Sequence, residues 1–214
     1  TMLRGRLVRG GDGRYAVTWT GAQELAGAMN EALRGMELSE LVRHKGKLYT
    51  CDDRTGIVYE VAAGQLLPRH ILADGDGNSP KGFKCEWMTV RGDVLYAGSV
   101  GKEWTSGDGT SVLGYGPMYI KTIDLRTGRL QHVDWRPQYT RLREATGTLP
   151  PGYLIHEAVA FSAALRKWVF APSRFSTVPY DEKDEVTRGS NLLLVTDEAV
   201  RDVRVVKVGQ VTPT

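Results

Sequence analysis

The sequence predicts an almost all-β fold of four-stranded antiparallel sheets, and two observations lead to this prediction. First, a module recurs three times in which an oxygen-bearing residue opens a short apolar run, a polar turn follows, and a second apolar run comes next. The three modules open at Ser39, Glu86 and Glu157. Second, the turn at residues 53–56 is echoed at residues 125–128. Repeated strand modules of this kind are typical of a β-propeller, whose blades surround a central axis.

In a propeller, the opening residues of the three modules would all point toward the axis. Carboxylates that converge on one point repel each other unless a cation lies between them, and oxygen ligands suit a hard cation such as Ca²⁺. The repeat alone therefore predicts a cation on the propeller axis.

Length and composition are typical of a globular domain. The chain has 214 residues, of which 41% are hydrophobic, so it can bury a sizeable core. Its net charge of +3 is ordinary for a globular domain. No run of Lys and Arg with interleaved aromatics occurs, so nucleic acid is not an expected partner. No apolar run approaches the roughly 18 residues that span a bilayer, and the first residues do not have the pattern expected of a signal peptide. A Gly-x-x-x-x-Gly-Lys phosphate loop is also missing, which excludes P-loop chemistry.

The elements up to the first blade are read from alternation and turn residues. Residues 4–9 and 15–20 flank a glycine-rich turn, which predicts a hairpin. The first blade, over approximately residues 39–72, contains the clearest hairpin, since a five-residue link that ends at Gly56 joins two apolar runs. Pro68 interrupts the last strand of this blade and favours an edge position.

Two further blades follow along the chain. The second covers approximately residues 86–134 and includes a long glycine-rich loop at residues 102–116. The third covers approximately residues 157–208, and its charged stretch at residues 181–185 is interpreted as a solvated surface loop.

Three blades and one hairpin do not close a circle, because a propeller needs at least about four blades. We therefore interpret residues 1–214 as a single propeller domain that is incomplete, and we expect strands to be missing at both ends.

Two short segments are predicted to be helical. Leu25, Met29 and Leu33 recur every four residues, which predicts a helix over residues 23–33. Residues 139–145, inside a proline-bounded connection, are interpreted as a second helix.

The chain has two cysteines, Cys51 and Cys85, and neither a disulfide framework nor a C-x-x-C zinc pattern. We interpret them as two half-buried thiols, so the cysteines do not reveal the redox compartment.

Seven stretches of the chain resemble, in the same order, motifs of the soluble calcium-activated nucleotidases, which are calcium-dependent apyrases. They are residues 34–41, 48–56, 73–77, 81–87, 101–105, 150–157 and 191–194. The motifs are long and specific, and the match covers nearly the whole chain. The resemblance implies a five-bladed propeller with one Ca²⁺ in its axial channel.

The same resemblance implies an activity and a setting. The activity is hydrolysis of the terminal phosphate of nucleoside di- and triphosphates, with UDP and GDP usually preferred over ADP. The expected location is outside the cell or in the lumen of the secretory pathway, and a homodimer is one possible oligomeric state.

The resemblance also implies roles for individual residues. The calcium ligands of the family fall on Ser39, Glu40, Glu86 and Glu157, which agrees with the acidic ring expected from the repeat. A catalytically important acidic residue falls on Asp53, which could take or orient the proton of the attacking water. The alternative for this residue is a structural role in the turn, where its side chain would satisfy backbone donors.

The family lines its nucleotide pocket at the positions of Arg54, Lys102 and Glu103. Arg54 and Lys102 could stabilise the charge that develops on the phosphate. Trp104 follows them in a glycine-rich loop and is a candidate for contact with a nucleobase, with a core position as the alternative.

The chain also departs from the family pattern. Met118 stands where the family has an acidic pocket residue, and Ser173 replaces one member of an arginine pair, of which Arg174 remains. The family has a further acidic loop before residue 1, and it completes its metal site with a serine and a glutamate beyond Thr214. These departures bear on the activity of the isolated chain more than on its family.

Two other functions compete with this interpretation. One is a non-catalytic propeller scaffold that keeps Ca²⁺ for structure only; such a scaffold would not need Asp53, Arg54 and Lys102 near the axis. The other is a different propeller hydrolase, such as a calcium lactonase. That class favours Asn, Asp and His near the metal, which the predicted ring does not show.

Overall fold

The structure is a computed structural model that describes residues 1–29 and 35–210. Within these ranges the chain is almost all-β, and three of its sheets are four-stranded and antiparallel. The predicted fold class is confirmed at this level. Closure of the sheets into a propeller, and a count of five blades, stay predictions.

The first element is the predicted hairpin, formed by β1 (Met2–Arg9) and β2 (Tyr15–Gln23). The two strands pair antiparallel and form a two-stranded sheet of their own.

The helix predicted over residues 23–33 is wrong for the part that the structure describes. Gln23 ends β2, and residues 24–29 are not helical, while residues 30–34 lie outside the described residues. The backbone here extends the first blade instead, because Ala26 donates to the Gly64 carbonyl at 3.0 Å and accepts from Leu66 at 2.8 Å. Leu25 packs beside the apolar cluster of Leu66, so the apolar spacing serves an extended segment.

The first four-stranded sheet follows chain order. Its strands are β3 (Leu38–His44), β4 (Lys47–Asp52), β5 (Ile57–Ala62) and β6 (Gln65–Ile71). Pro68 lies in β6, the edge strand, as predicted from its missing N–H.

The second sheet is interrupted by the glycine-rich loop. Its strands are β7 (Trp87–Arg91), β8 (Val94–Gly98), β11 (Tyr119–Asp124) and β12 (Leu130–Asp134), in that order. The loop between β8 and β11 carries a small ladder of β9 (Trp104–Thr105) and β10 (Val112–Gly114).

The third sheet also follows chain order. Its strands are β13 (Tyr153–Ser162), β14 (Lys167–Ser176), β15 (Leu192–Thr196) and β16 (Val203–Lys207). The first strand begins at Tyr153, so the expectation that Glu157 opens it is wrong, and Glu157 lies in the middle of β13 instead.

One α-helix, α1 (Arg136–Thr146), joins the second and third sheets and confirms the helix predicted at residues 139–145. Pro137 lies in its first turn, where proline is tolerated, and Gly147 ends it in the left-handed conformation. Among the described helices, none combines the length and the hydrophobicity needed to cross a lipid bilayer.

The second and third sheets share an aromatic core that contains Trp87, Trp135, Trp168 and Phe170. The Trp135 and Trp168 rings meet edge to face at 5.4 Å between centroids. Through this packing β7 lies beside β13, and β7 also contacts β3. The first strand of each sheet is therefore the one that meets its neighbours, which is the arrangement that brings the opening residues together.

The interpretation of the cysteines as two half-buried thiols is wrong. Cys51 and Cys85 are fully buried and form a disulfide bond. The bond ties the end of β4 to the segment that leads into β7. Sequence spacing could not predict it, because the two residues are brought together by the packing of two different sheets.

Candidate functional site

Three glutamates occupy equivalent places in the three sheets. Glu40 and Glu157 lie at irregularities in the register of β3 and β13, and Glu86 directly precedes β7. Each is followed by the first residue of a regular pairing with the second strand of its sheet. Bulges commonly redirect side chains near functional sites. Ser39 was expected to match Glu86 and Glu157, but the register gives this place to Glu40.

Glu86 and Glu157 line the same cavity, of about 340 Å³. The pKa of Glu86 lies above its ordinary value. Burial is the main cause, and the charges of Glu157 and Asp53 add to it, while the contact with Lys84 acts in the opposite direction. Two carboxylates that repel each other in a partly buried cleft favour a cation between them. Glu40 is exposed, and neither Ser39 nor Glu40 lines this cavity.

Lys84, which the sequence analysis did not single out, connects two of the acidic residues. Its Nζ donates to Oδ2 of Asp53 at 3.0 Å and forms a close ion pair with Glu86. Burial lowers the pKa of Lys84, but the contacts with Glu86 and Asp53 outweigh it and hold the pKa above its usual value. The other oxygen of Asp53, Oδ1, is buried and has no hydrogen-bond partner among the described residues.

The turn that carries Asp53 is held by its neighbour, Asp52. The Asp52 carboxylate accepts from the N–H of Glu37 at 2.8 Å, and from the N–H and hydroxyl of Thr55 at 3.1 and 2.5 Å. Gly56 closes the turn at φ +71, and a Cβ there would lie 2.5 Å from the Leu72 carbonyl oxygen. The structural role in this turn therefore belongs to Asp52.

The echo of this turn in the second sheet supports that distinction. Asp124 holds the same place as Asp52, and its carboxylate accepts from the backbone of Arg126 and Thr127 at 2.8 and 3.2 Å. The residue that corresponds to Asp53 is Leu125. A carboxylate at the second position is thus not needed to form the turn, which leaves the Asp53 side chain for another task.

A second cavity, of about 500 Å³, adjoins the first, and the two share Lys84 and Trp104 as lining residues. The second cavity is lined by Asp53, Arg54 and Lys81. Together the two cavities form one cleft, called the shared cleft below, which brings Asp53 and Arg54 close to the residues of the glycine-rich loop.

Lys102 lies in the shared cleft with its side chain mostly buried. Its Nζ donates to the Glu103 carbonyl at 3.0 Å and lies 4.3 Å from the centre of the Tyr180 ring. Burial lowers the pKa of Lys102. No carboxylate of the described residues lies within ion-pair distance of this ammonium, so an anion in the cleft would gain a strong partner.

Glu103 is engaged in a different way. It is buried, and its two oxygens accept from Arg143 at 2.6 and 3.3 Å. Burial pushes its pKa up, but the hydrogen bonds from Arg143 outweigh this effect and lower the pKa overall. This pair fixes the base of the glycine-rich loop onto α1. The same pair also lines a larger cavity of about 830 Å³, together with Met118.

Trp104 is partly buried at the junction of the two cavities. Its Nε1 donates to Oδ2 of Asp74 at 3.2 Å, and Nζ of Lys81 lies 3.8 Å from its ring centre. The indole is therefore held at its edge by Asp74 and on one face by Lys81, and it forms part of the wall of the shared cleft.

His156 precedes Glu157 but has no role as a ligand in this arrangement. It is fully buried between the rings of Tyr139 and Phe170, at 5.4 and 5.5 Å between centroids. Burial lowers its pKa to about 3, so it is a neutral packing residue.

The residues present fit a hard cation in part. Across residues 1–29 and 35–210, no three His, Cys, Asp or Glu side chains converge into a complete metal cage. Glu86 and Glu157 nevertheless supply carboxylate oxygens to one cavity, and Lys84 already places a positive charge on Glu86. This donor set is the oxygen-only type that Ca²⁺ prefers, and it accounts for only some of the six to eight ligands that Ca²⁺ takes.

Comparison with known proteins assigns the family. The Apyrase family model matches residues 1–214. Soluble calcium-activated nucleotidase 1 of Mus musculus is 46% identical over 181 residues, which is 85% of this chain and 44% of that protein. Apyrase apy-1 of Caenorhabditis elegans is 46% identical over 176 residues, or 82% and 49%. An apyrase of Cimex lectularius is 44% identical over 165 residues, or 77% and 45%.

The chain spans about half the length of the curated relatives it matches. The family predicted from the sequence motifs is confirmed, and the chain belongs to the apyrase family.

Proposed function

We propose that this chain forms part of an enzyme that uses Ca²⁺ to hydrolyse the terminal phosphate of nucleoside di- and triphosphates, with UDP and GDP as substrates. The observation that carries the proposal is the shared cleft, which is lined by Asp53, Glu86 and Glu157 and also by Arg54, Lys102 and Trp104. Phosphoanhydride hydrolysis needs these elements: charge neutralisation, a positioned water and an acceptor for its proton. The names of the relatives, calcium-activated nucleotidase and apyrase, support the same reaction.

The metal site is proposed to include Glu86 and Glu157, with Ser39 and Glu40 joining from the bulge of β3. A bound Ca²⁺ would supply positive charge to the phosphate oxygens and orient water. The five-bladed propeller, with residues 1–214 as part of one domain and blades near 39–72, 86–134 and 157–208, is the arrangement that would bring β3 to the same axis.

Asp53 is proposed as the group that orients the attacking water and accepts its proton. Its Oδ1 is buried and unpartnered among the described residues, while Lys84 holds Oδ2. Lys84 thus fixes one oxygen, and the other, which has no partner among the described residues but is closed to solvent in this conformation, would take the water after a rotation of the side chain.

The cationic residues of the cleft are proposed to bind the nucleotide phosphates. Lys102 is buried and forms no ion pair with a carboxylate of the described residues, and Arg54 is exposed and lines the neighbouring cavity. Trp104 would stack with the base. Glu103 would act as a positioning residue, because Arg143 occupies both of its oxygens.

The compartment is proposed to be the secretory pathway or the extracellular space, and a homodimer is retained as a proposed assembly. The buried Cys51–Cys85 disulfide supports this setting, since structural disulfides persist mainly in oxidising compartments.

The test of this function uses an extended protein, in which this chain is continued to the length of its relatives. Phosphate release from UDP and GDP should require Ca²⁺, because the oxygen-rich site is suited to a large hard cation and Mg²⁺ demands a tighter octahedral shell. The assay compares the two metals at equal concentration. Equal rates with Ca²⁺, Mg²⁺ or a chelator alone would contradict the proposal.

Replacing Lys102 by Ala should both raise the KM for UDP and lower kcat. A phosphate-binding cation contributes to the bound substrate and to the transition state. Each change is expected to be about tenfold, the factor that follows from loss of a charge-assisted hydrogen bond. Steady-state phosphate release measures it, with Lys207→Ala on the exposed end of β16 as the control. Unchanged kinetics in Lys102→Ala would remove this lysine from the substrate site.

A further inference from the structure

Lys84 occupies a central place in the shared cleft. It lines both cavities, and its ammonium contacts Asp53 at 3.0 Å and forms a close ion pair with Glu86. Lys84 and Glu86 are two residues apart in the segment that leads into β7, and their ion pair shows that the two side chains lie on the same side of this segment. Cys85 lies between them, fully buried and disulfide-bonded, which holds this segment in place.

Lys84 lies among both kinds of charge. Five carboxylates line the shared cleft, those of Asp53, Glu86, Glu157, Glu182 and Glu185, and four cationic side chains line it as well, those of Arg54, Lys81, Lys84 and Lys102. Lys84 is the cation that lies within ion-pair distance of Asp53 and Glu86. Lys81 lies in the same cleft but stacks on the Trp104 ring at 3.8 Å. Lys84 therefore supplies the positive charge that lets the carboxylates stay together before any metal arrives.

A divalent cation and an ammonium group cannot share the same carboxylate oxygen without strong repulsion. A Ca²⁺ ion that takes Oε1 of Glu86, the oxygen held by Lys84, must therefore displace the ammonium, and one that binds only Oε2 must overcome the repulsion of the ammonium beside it. Asp53 remains as a partner for the displaced ammonium.

We propose that Lys84 is a built-in counter-cation that competes with Ca²⁺ for Glu86 and so sets the calcium concentration at which the site fills. This inference rests on the proposed function, because it assumes that Glu86 is a calcium ligand. In this inference, the calcium concentration needed to fill the site depends on Lys84, which acts through Glu86 and does not itself touch the metal.

The experiment measures Ca²⁺ binding to the extended protein by titration calorimetry, in Lys84→Gln and in Lys81→Gln. Lys84→Gln is expected to bind Ca²⁺ about tenfold more tightly than the parent, because a competing ion pair is gone. Lys81→Gln removes the same charge from the same cleft without breaking an ion pair with a carboxylate. Its Ca²⁺ affinity is therefore expected to differ from that of the parent by less than about threefold. Equal effects in the two variants would overturn the inference.

Thermal unfolding gives a second readout that a purely structural lysine would not reproduce. Without Ca²⁺, Lys84→Gln should unfold at a lower temperature than the parent, since the carboxylates lose their counter-cation. At saturating Ca²⁺ the difference should vanish or reverse. The same loss of stability in both conditions would contradict the proposed competition.

Two further variants keep the result interpretable. Lys84→Arg retains the competing charge and should bind Ca²⁺ no more tightly than the parent; binding as tight as in Lys84→Gln would refute competition even if the glutamine variant folded poorly. Glu86→Gln separates the two proposals. If Glu86→Gln weakens Ca²⁺ binding but Lys84→Gln and Lys81→Gln change the Ca²⁺ affinity by the same factor, only this inference is overturned and the proposed metal site stands. Unchanged Ca²⁺ binding in Glu86→Gln would overturn both this inference and the proposed metal site.

Discussion

In the extended protein, replacement of Asp53 by Asn is expected to remove most of the proposed UDP hydrolysis while Ca²⁺ binding stays close to that of the parent. Asparagine keeps the shape of the side chain but cannot accept a proton from water at neutral pH. The expected loss in kcat is about 100-fold or more, the range associated with a general base. The measurement is steady-state phosphate release at saturating Ca²⁺, with a calcium titration of the same variant.

The fold of this variant should be preserved. The turn is held by the Asp52 carboxylate, and Leu125 shows that the corresponding turn forms without an acidic residue at this place. Asp52→Asn is the informative control. It should lower the temperature of unfolding, because the turn loses hydrogen bonds to the Asp52 carboxylate, whereas Asp53→Asn should not. An Asp53→Asn protein that hydrolyses UDP at the parental rate would leave Asp53 without a catalytic role.

Replacement of Glu86 by Gln is expected to weaken Ca²⁺ binding sharply. Glutamine keeps a carbonyl oxygen but removes a formal charge from a site whose affinity depends on the number of charged ligands. The loss should be about tenfold to 100-fold in the dissociation constant, or about 1.4 to 2.8 kcal/mol. Glu157→Gln should behave in the same way, since both residues line one cavity.

Glu144→Gln serves as the matched control for these two variants, because Glu144 is exposed on α1 and lies outside the shared cleft. Calorimetric titration with Ca²⁺ should give the parental affinity for this control. Tight calcium binding that is unchanged in both Glu86→Gln and Glu157→Gln would remove the axial metal site from the account.

Much of the fold could be predicted because its determinants are local. Apolar alternation, glycine-containing links and Pro68 mark the strands and the edge of the first sheet, and they do so within a few residues. The helix predicted at residues 23–33 was wrong in its described part for the opposite reason. Its apolar spacing suits a helix, but the backbone of Ala26 pairs with Gly64 and Leu66 in the first sheet.

The candidate site could be predicted only in part. Glu86 and Glu157 could be matched from the sequence because each directly precedes a short apolar run, whereas the third place was assigned to Ser39 and belongs to Glu40, since the bulge in β3 shifts the register by one residue. The Glu103–Arg143 pair joins residues that are 40 positions apart, and the Cys51–Cys85 bond joins two sheets, so no local pattern announces either. Lys84 carried no clear signal either, because residues 84–86 precede the strand β7 and only the folded chain brings this lysine to both Asp53 and Glu86.

The central claim is that Glu86 and Glu157 hold a calcium ion in the cleft where Asp53 acts on the nucleotide. A crystal structure of the extended protein with Ca²⁺ and a non-hydrolysable UDP analogue tests it most directly. The account predicts one ion at about 2.3–2.6 Å from carboxylate oxygens of Glu86 and Glu157, with the Lys84 ammonium withdrawn from Glu86 and a water molecule at Oδ1 of Asp53. A calcium ion bound away from both glutamates, with the analogue outside the shared cleft, would contradict it.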